Sequence, residues 1–203
     1  MTLIATLGHA LGFSLAAGVN LYATVAILGL ASRFGWVAIP ERFAAFDSNL
    51  VIGVAATLYV VEFFADKIPW VDSVWDAIHT AIRPVGGAFI AVASLGELGA
   101  GVPMADLAMA ALGGSVAAGA HLTKASTRAA VNTSPEPLSN WVLSLSEDLF
   151  VVGLGTLAIN YPVAAFGVAT VLILLIACFL GVISRTAWRW LSGNRTAATP
   201  SGA

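Results

Sequence analysis

Apolar segments dominate the chain, and short polar stretches separate them. About 20 apolar residues cross the hydrocarbon core of a bilayer as a helix. A further apolar piece, "LYATVAILGLASRF", is too short to cross and suits a re-entrant or interfacial segment within residues 20–33. We predict an all-α, polytopic membrane bundle of about six spans, which are residues 2–19, 49–65, 85–101, 104–120, 138–158 and 163–184.

The composition agrees with a membrane protein. Of the 203 residues, 59% are hydrophobic and 10% are charged. Soluble domains are about half apolar and about one quarter charged. The net charge of -2 and the absence of a basic run exclude a nucleic-acid partner. The single cysteine, Cys178, excludes disulfides and cysteine-ligated metal sites.

Basic residues predict the orientation. Arg185, Arg189 and Arg195 follow the last span, and cytoplasmic loops carry an excess of Lys and Arg. We therefore expect a multi-pass protein of the inner (plasma) membrane with a cytoplasmic C-terminus. Six spans place the N-terminus on the same side. Residues 186–203 are expected to form a disordered cytoplasmic tail.

The two halves of the chain resemble each other. "LGFSLAAGVNL" (11–21) and "LGGSVAAGAHL" (112–122) share seven of eleven residues, and segments 48–61 and 139–152 share six of fourteen in the same order. We predict a first repeat over residues 1–103 and a second over 104–185. Three spans in each half would invert the second repeat, an arrangement typical of transporters. The alternative is a duplicated fold retained only for stability.

A polar stretch, "HLTKASTRAAVNTSPEP" (121–137), follows the first span of the second repeat. Its cations and hydroxyls suit an anionic head group, and the segment 121–134 could re-enter the membrane. The alternative is a cytoplasmic loop in which Ser134 or Ser139 caps the next helix. His121 aligns with Asn20, which suggests a helix break in each half. The predicted substrate-binding residues are Lys124, Ser126, Thr127, Arg128, Asn132, Asn20 and His121.

Acidic residues interrupt two of the predicted spans. Glu147 and Asp148 lie near the middle of the fifth span, on a helical face shared with Asn140, Ser144 and Gly155. Burying two acids is costly, so we expect a functional role, with Lys124 and Arg128 as partners. The alternative is that this span is misplaced and the acids lie in a loop. Glu62 and Asp66, at the end of the second span, complete the predicted ion-coupling set.

The segment after the second span predicts a short helix. Asp72 resembles an N-cap, and Val74, Ile78 and Ile82 form an apolar stripe. Asp72, Asp76 and His79 fall on the polar side of this helix. They could hold a divalent metal, although the wet face of an interfacial helix is the preferred interpretation. We expect no bound metal and no cofactor.

Four motifs carry a family resemblance. These are "GVNLYATV", "EFFADKIPWVDSVWDAIHTAIRP", "KASTRAAVNTSPEPLSN" and "SLSEDLFV". Together they resemble an uncharacterised bacterial family of small polytopic membrane proteins, a domain of unknown function of the DUF4126 type. The resemblance extends to about residue 185 and implies a multi-span membrane protein without an established activity.

Three functions are consistent with these features, and no catalytic motif argues for an enzyme. The first is a transporter or lipid translocator for a small anionic or lipid-linked substrate, coupled to protons or cations through the acids. The second is a cation or metal carrier or channel centred on the acids, with the basic residues as structural partners. The third is a membrane scaffold whose small-residue faces pack other helices. Membrane lipid is an expected partner, and a homo-oligomer is compatible with each function.

Overall fold

A computed structural model of the protein describes residues 2–96, 102–133 and 137–197. Within these ranges the chain is helical and has no β-strand, so the predicted all-α class is confirmed. The elements in order are α1 (Leu3–Val19), α2 (Leu21–Arg33), a 3-10 helix (Glu41–Asp47), α3 (Asn49–Ala65), α4 (Pro69–Ala93), α5 (Pro103–Asn132), α6 (Pro137–Asn160) and α7 (Pro162–Ala197).

Local chemistry explains where several helices begin. The side chains of Asn20 and Ser48 accept hydrogen bonds from the first-turn backbone N–H groups of α2 and α3. Proline opens α4, α5, α6 and α7, where its missing N–H has no helical partner to lose. The break at Asn20 is therefore a capped junction, at which α1 ends and α2 begins one residue later.

The structure corrects two predicted breaks. Helix α5 continues through His121 to Asn132, so residues 121–132 are neither a loop nor a separate re-entrant segment. Helix α4 begins at Pro69 with Ile68 as its N-cap residue, so Asp72 lies in the first turn and does not cap it. In both helices, polar side chains form ion pairs with neighbouring helices. Ser134, one of the predicted caps, lies outside the described residues.

Helix α1 lies at the centre of the fold, where it contacts α4, α5, α6 and α7. Its repeat motif packs against the matching motif of α5. A Cβ atom on Gly18 would lie 2.4 Å from the carbonyl oxygen of Ala117, and one on Gly113 would lie 2.8 Å from Ser14 Oγ. Both distances are shorter than real Cβ contacts. Only glycine permits this close approach of the two helices.

Two helices are long and apolar enough to cross a membrane, Leu138–Asn160 and Pro162–Arg189. A third span is counted if the 3-10 helix and α3, which meet at 52°, are taken as one. The described residues therefore provide two or three candidate spans, fewer than the six predicted. Helix α1 has 17 residues, and α4 and α5 combine apolar stretches with charged side chains. Part of one predicted span, residues 97–101, lies outside the described residues.

The outer surface is apolar and the interior is partly charged. On α4 the stripe of Val74, Ile78 and Ile82 is exposed, whereas Asp72 and Arg83 are 0% exposed. This is the reverse of the predicted wet face. At the other end of the chain, α7 extends to Ala197 and includes the first part of the predicted tail. Residues 198–203 lie outside the described part.

Candidate functional site

Eight charged side chains meet between α3, α4, α5 and α6. We call them the charge network, and ion pairs of 3.5 Å or less join them. Seven of these side chains are at most 6% exposed, and that of Glu147 is 11% exposed. The members are Glu62, Asp66, Asp72, Asp76, Glu147, Arg83, Lys124 and Arg128.

Helical spacing brings the network together. Residues three or four apart lie on one face of a helix. Asp72, Asp76, His79 and Arg83 therefore form one polar face on α4, and all four are buried. His121, Lys124 and Arg128 form the facing row on α5 and are also buried. The polar stretch predicted from the sequence is thus the inward face of a helix.

Arg83 lies at the end of the network nearest α1. Its Nη2 atom donates to Glu62 Oε1 over 2.6 Å, and its Nη1 atom lies 3.3 Å from Asp76 Oδ1. Nη1 also donates to the carbonyl oxygen of Gly18 and to Nδ1 of His121. Two carboxylates and a backbone carbonyl thus surround a guanidinium that has no solvent exposure.

The contacts of His121 define its tautomer. Its Nδ1 atom accepts a hydrogen bond from Arg83 over 2.7 Å, so the ring proton of the neutral form is on Nε2. Nε2 can then donate to Thr80 Oγ1, 3.1 Å away, and Thr80 donates to the carbonyl oxygen of Asp76. His121 therefore links α5 to α4 as a neutral side chain. It was predicted to bind substrate at a helix break.

Lys124 and Arg128 are bound by carboxylates. Lys124 Nζ lies 3.3 Å from Asp66 and 3.4 Å from both Glu62 and Glu147, and it donates to the carbonyl oxygen of Val19. Arg128 donates to the backbone and the side chain of Asp66, at 2.7 and 3.1 Å. It also donates to both carboxylate oxygens of Glu147. The expected contacts between Glu147 and these two cations are present.

The other predicted site residues have different positions. The Oδ1 atom of Asn20 caps α2 and accepts from the backbone of Ala23. Asn132 donates to Asp72 Oδ2 over 2.8 Å, which ties the end of α5 to the start of α4. Ser126 and Thr127 are partly buried, and Thr127 donates to a carbonyl of its own helix. Asp148 is half-buried and has no ion pair of 4.0 Å or less in the described part of the chain.

The described part of the polar face of α4 does not bring together the three ligands expected of a divalent-metal site. Across the described ranges, no three His, Cys, Asp or Glu side chains are grouped closely enough to hold a metal ion. Both ring nitrogens of His79 have partners, because Nδ1 lies 2.7 Å from the carbonyl oxygen of Trp75 and Nε2 lies 2.9 Å from Tyr22 Oη. His79 also stacks on Trp75. It is a hydrogen-bonded interior histidine.

Burial changes the acidity of Asp72, which lies in α4 outside the candidate spans. Desolvation raises the pKa of this carboxyl to about 6, against the opposing effects of Arg128 and of the Asn132 hydrogen bond. Asp72 can therefore change its charge near neutral pH.

Two cavities adjoin the network, one lined by Lys124 and Glu147 and the other by Arg128 and Asp72. The apolar cavity, of about 290 Å³, lies between α1, α5, α6 and α7, with Leu15, Phe150 and Ile176 among its apolar walls. The acidic cavity, of about 220 Å³, lies between α4 and α5. The polar side of the apolar cavity consists of Thr123, Lys124, Thr127, Ser146 and Glu147.

Sequence reasoning missed Arg83 as a site residue. It lies just before residue 85, where the third span was predicted to begin. Helix α4 instead runs from Pro69 to Ala93 through this point, with Pro84 inside it. The helical spacing of Asp72, Asp76 and His79 could have identified Arg83, because Arg83 lies four residues after His79 on the same face of the helix.

The fold and the network together define an all-helical protein that buries ion pairs between apolar helices. A family model described as "Domain of unknown function (DUF4126)" matches residues 7–181. The chain therefore belongs to this family, which confirms the resemblance seen in its motifs. No curated protein and no solved structure is similar to it at a significant level.

Proposed function

We propose that this chain is an integral membrane carrier that moves an amphipathic substrate in exchange for protons or small cations. The observation that carries the proposal is the composition of the charge network. It contains five carboxylates and three cations, which leaves two negative charges uncompensated at full ionisation. Buried acids in excess of their partners are typical of ion and proton pathways.

The surface of the fold supports the membrane location. Large apolar side chains cover the outside, and Leu174 and Val171 of α7 are 65% and 57% exposed. Burial in lipid stabilises such a surface, whereas water does not. We propose the six-span inverted repeat as the architecture, in an inner membrane with both termini cytoplasmic. The close packing of the two repeat motifs at Gly18 and Gly113 supports it.

The basic residues favour a cation over an anion. An anionic substrate would depend on Lys124 and Arg128, yet carboxylates already bind both. Displacing these carboxylates would leave buried charges unpaired, which costs several kcal/mol. The contacts thus support the second function from the sequence analysis, in which the basic residues are structural partners.

The apolar cavity suggests the shape and polarity of the substrate. Its hydroxyls, on Thr123, Thr127 and Ser146, each donate to a carbonyl of their own helix. They therefore present only lone pairs to the cavity. Lys124 lies on the same side, but its ammonium donates to the carbonyl oxygen of Val19 and to the carboxylates of Glu62 and Asp66. Glu147 adds carboxylate oxygens to this side. A molecule with an apolar body and a hydrogen-bond-donating end, such as an alkylammonium, fits this arrangement.

Lipid translocation in proteoliposomes tests the proposal. We would reconstitute the protein with fluorescent amphiphiles that carry an ammonium, a zwitterionic or a phosphate head group, and measure their movement by quenching from outside. We expect ammonium movement that depends on a pH or Na⁺ gradient and is lost in Glu147→Gln. Asp106→Asn, in an exposed ion pair with Arg42, should match the wild type.

Two outcomes would contradict the proposal. Rates equal to those of protein-free liposomes for all three head groups and both gradients would exclude a carrier of this kind. Selective movement of the phosphate amphiphile, abolished by Arg128→Gln, would instead support an anion carrier.

A further inference from the structure

Polar residues line the acidic cavity between α4 and α5. They are Asp72, Ser73, Asp76 and Thr80 of α4 and Arg128 of α5. Both aspartates are buried, at 0% and 5% exposed, while Ser73 and Thr80 are exposed. The cavity thus leads from the outside of the protein to two buried carboxylates.

Three carboxylate oxygens of this cavity lack hydrogen-bond donors in the described part of the chain, whereas Asp72 Oδ2 accepts from Asn132. Asp76 Oδ2 has no hydrogen-bond donor among the described residues. Asp76 Oδ1 and Asp72 Oδ1 also lack hydrogen bonds, although each lies within 3.5 Å of an arginine nitrogen. A buried oxygen without a donor costs free energy unless a ligand or water satisfies it.

The neighbouring donors are directed elsewhere. Arg128 also lines the cavity, but its hydrogen bonds run to Asp66 and Glu147. The hydroxyls of Ser73 and Thr80 donate to backbone carbonyls and already accept from Asn132 and His121. The carboxylates are therefore the main acceptors left in the cavity, and an occupant must supply positive charge or donors.

We infer that the acidic cavity binds a monovalent alkali cation, Na⁺ or K⁺, between Asp72 and Asp76. Carboxylate and hydroxyl oxygens are the ligands that such hard cations prefer. Arg128 and Arg83 each offset one of these carboxylates, so little unpaired negative charge remains, and a single positive charge fits it better than a double one. A divalent ion also lacks the necessary group of three ligands in the described part of the chain.

Arg128 connects this site to the proposed carrier. It contacts Asp72 on the wall of the acidic cavity and Glu147 on the wall of the apolar cavity. A cation beside Asp72 would repel the guanidinium and shift it towards Glu147. The inference rests on the proposed function only for this coupling, since cation binding can be measured without transport.

Thermal unfolding of the full chain in detergent tests the site at constant pH and ionic strength. We compare NaCl and KCl with choline chloride, whose ion is too large for close coordination by the carboxylates. At about ten times the dissociation constant, binding should raise Tm by about 3–6 °C. Asp76→Asn should remove this shift, and Asp72→Asn should weaken the affinity about tenfold. Asp106→Asn should keep the full shift.

The outcomes separate the two proposals. Glu147→Gln should lose transport but keep the cation-dependent shift. No difference between choline and either alkali salt would overturn the site, as would a full shift in Asp76→Asn. If Asp76→Asn does not fold, Asp72→Asn replaces it as the test. An affinity for Na⁺ or K⁺ equal to that of the wild type in Asp72→Asn would also overturn the site. Stabilisation by acid alone, with no alkali dependence, would identify a proton as the occupant and also refute the inference.

Discussion

The pair between Glu62 and Arg83 provides the sharpest test of the charge network. Both side chains are 0% exposed, and their nearest atoms are 2.6 Å apart. Glu62→Gln preserves the shape but removes the charge. Breaking a buried ion pair costs about 3–5 kcal/mol because the remaining charge is uncompensated. Arg83 still has Asp76 at 3.3 Å, so we expect the lower value, about 3 kcal/mol.

The assay is thermal unfolding in detergent. For a chain of this size, about 3 kcal/mol corresponds to a Tm decrease of about 6–12 °C. The control is Asp106→Asn, whose pair with Arg42 is exposed and contributes little to stability because solvent screens it. If both variants lower Tm equally, within about 2 °C, the network does not contribute to stability as the structure indicates.

Three further predictions concern stability. Gly113→Ala should lower the free energy of unfolding by about 1–3 kcal/mol, because the new Cβ would lie 2.3 Å from the Cβ of Ala91. The control is Gly167→Ala, which should not lower it, because no atom lies within 4 Å of the added Cβ. Equal Tm values for the two variants would contradict the packing. The protonated form of Asp72 favours folding, because the pKa of this carboxyl is about 6 in the folded protein and 3.8 ordinarily. This stabilisation is present below pH 4 and is lost as the pH rises through 6. The stability of Asp72→Asn relative to the wild type should therefore increase by up to about 3 kcal/mol between pH 4 and 7. A pH-independent difference in Tm would refute it. Asn20→Ala should cost about 1 kcal/mol through loss of the α2 cap, measured by the same unfolding, and no loss would show that the cap is dispensable.

Sequence patterns located the polar positions better than they located the breaks between helices. The apolar runs predicted α1, α3, α6 and α7 to within a few residues at most ends. The sequence identified His121, Lys124 and Arg128 as polar positions, but a polar segment after an apolar span is typical of a loop or a re-entrant segment. Its partners, Glu62 and Asp66, are about 60 residues away in the chain. Local propensity cannot show such long-range ion pairs, and they are what keep α5 helical.

The prediction assigned the two faces of α4 the wrong way round, for a related reason. A helix with one apolar and one polar face normally turns its apolar face inward. Here Asp76 and Arg83 face the interior, and Ile78 faces outward. The pattern gives the two faces but not their direction, which depends on whether lipid or water surrounds the helix. Only the positions of the neighbouring helices resolved it.

Proton or Na⁺ movement in proteoliposomes tests the central claim most directly. Vesicles loaded with a pH-sensitive and a Na⁺-sensitive dye would receive an inward gradient of an alkylammonium substrate, with Glu147→Gln and protein-free vesicles alongside. The account predicts a change of internal pH or of internal Na⁺ in the wild type that Glu147→Gln abolishes. The same changes in all three preparations, or no change in either signal in the wild type, would contradict it.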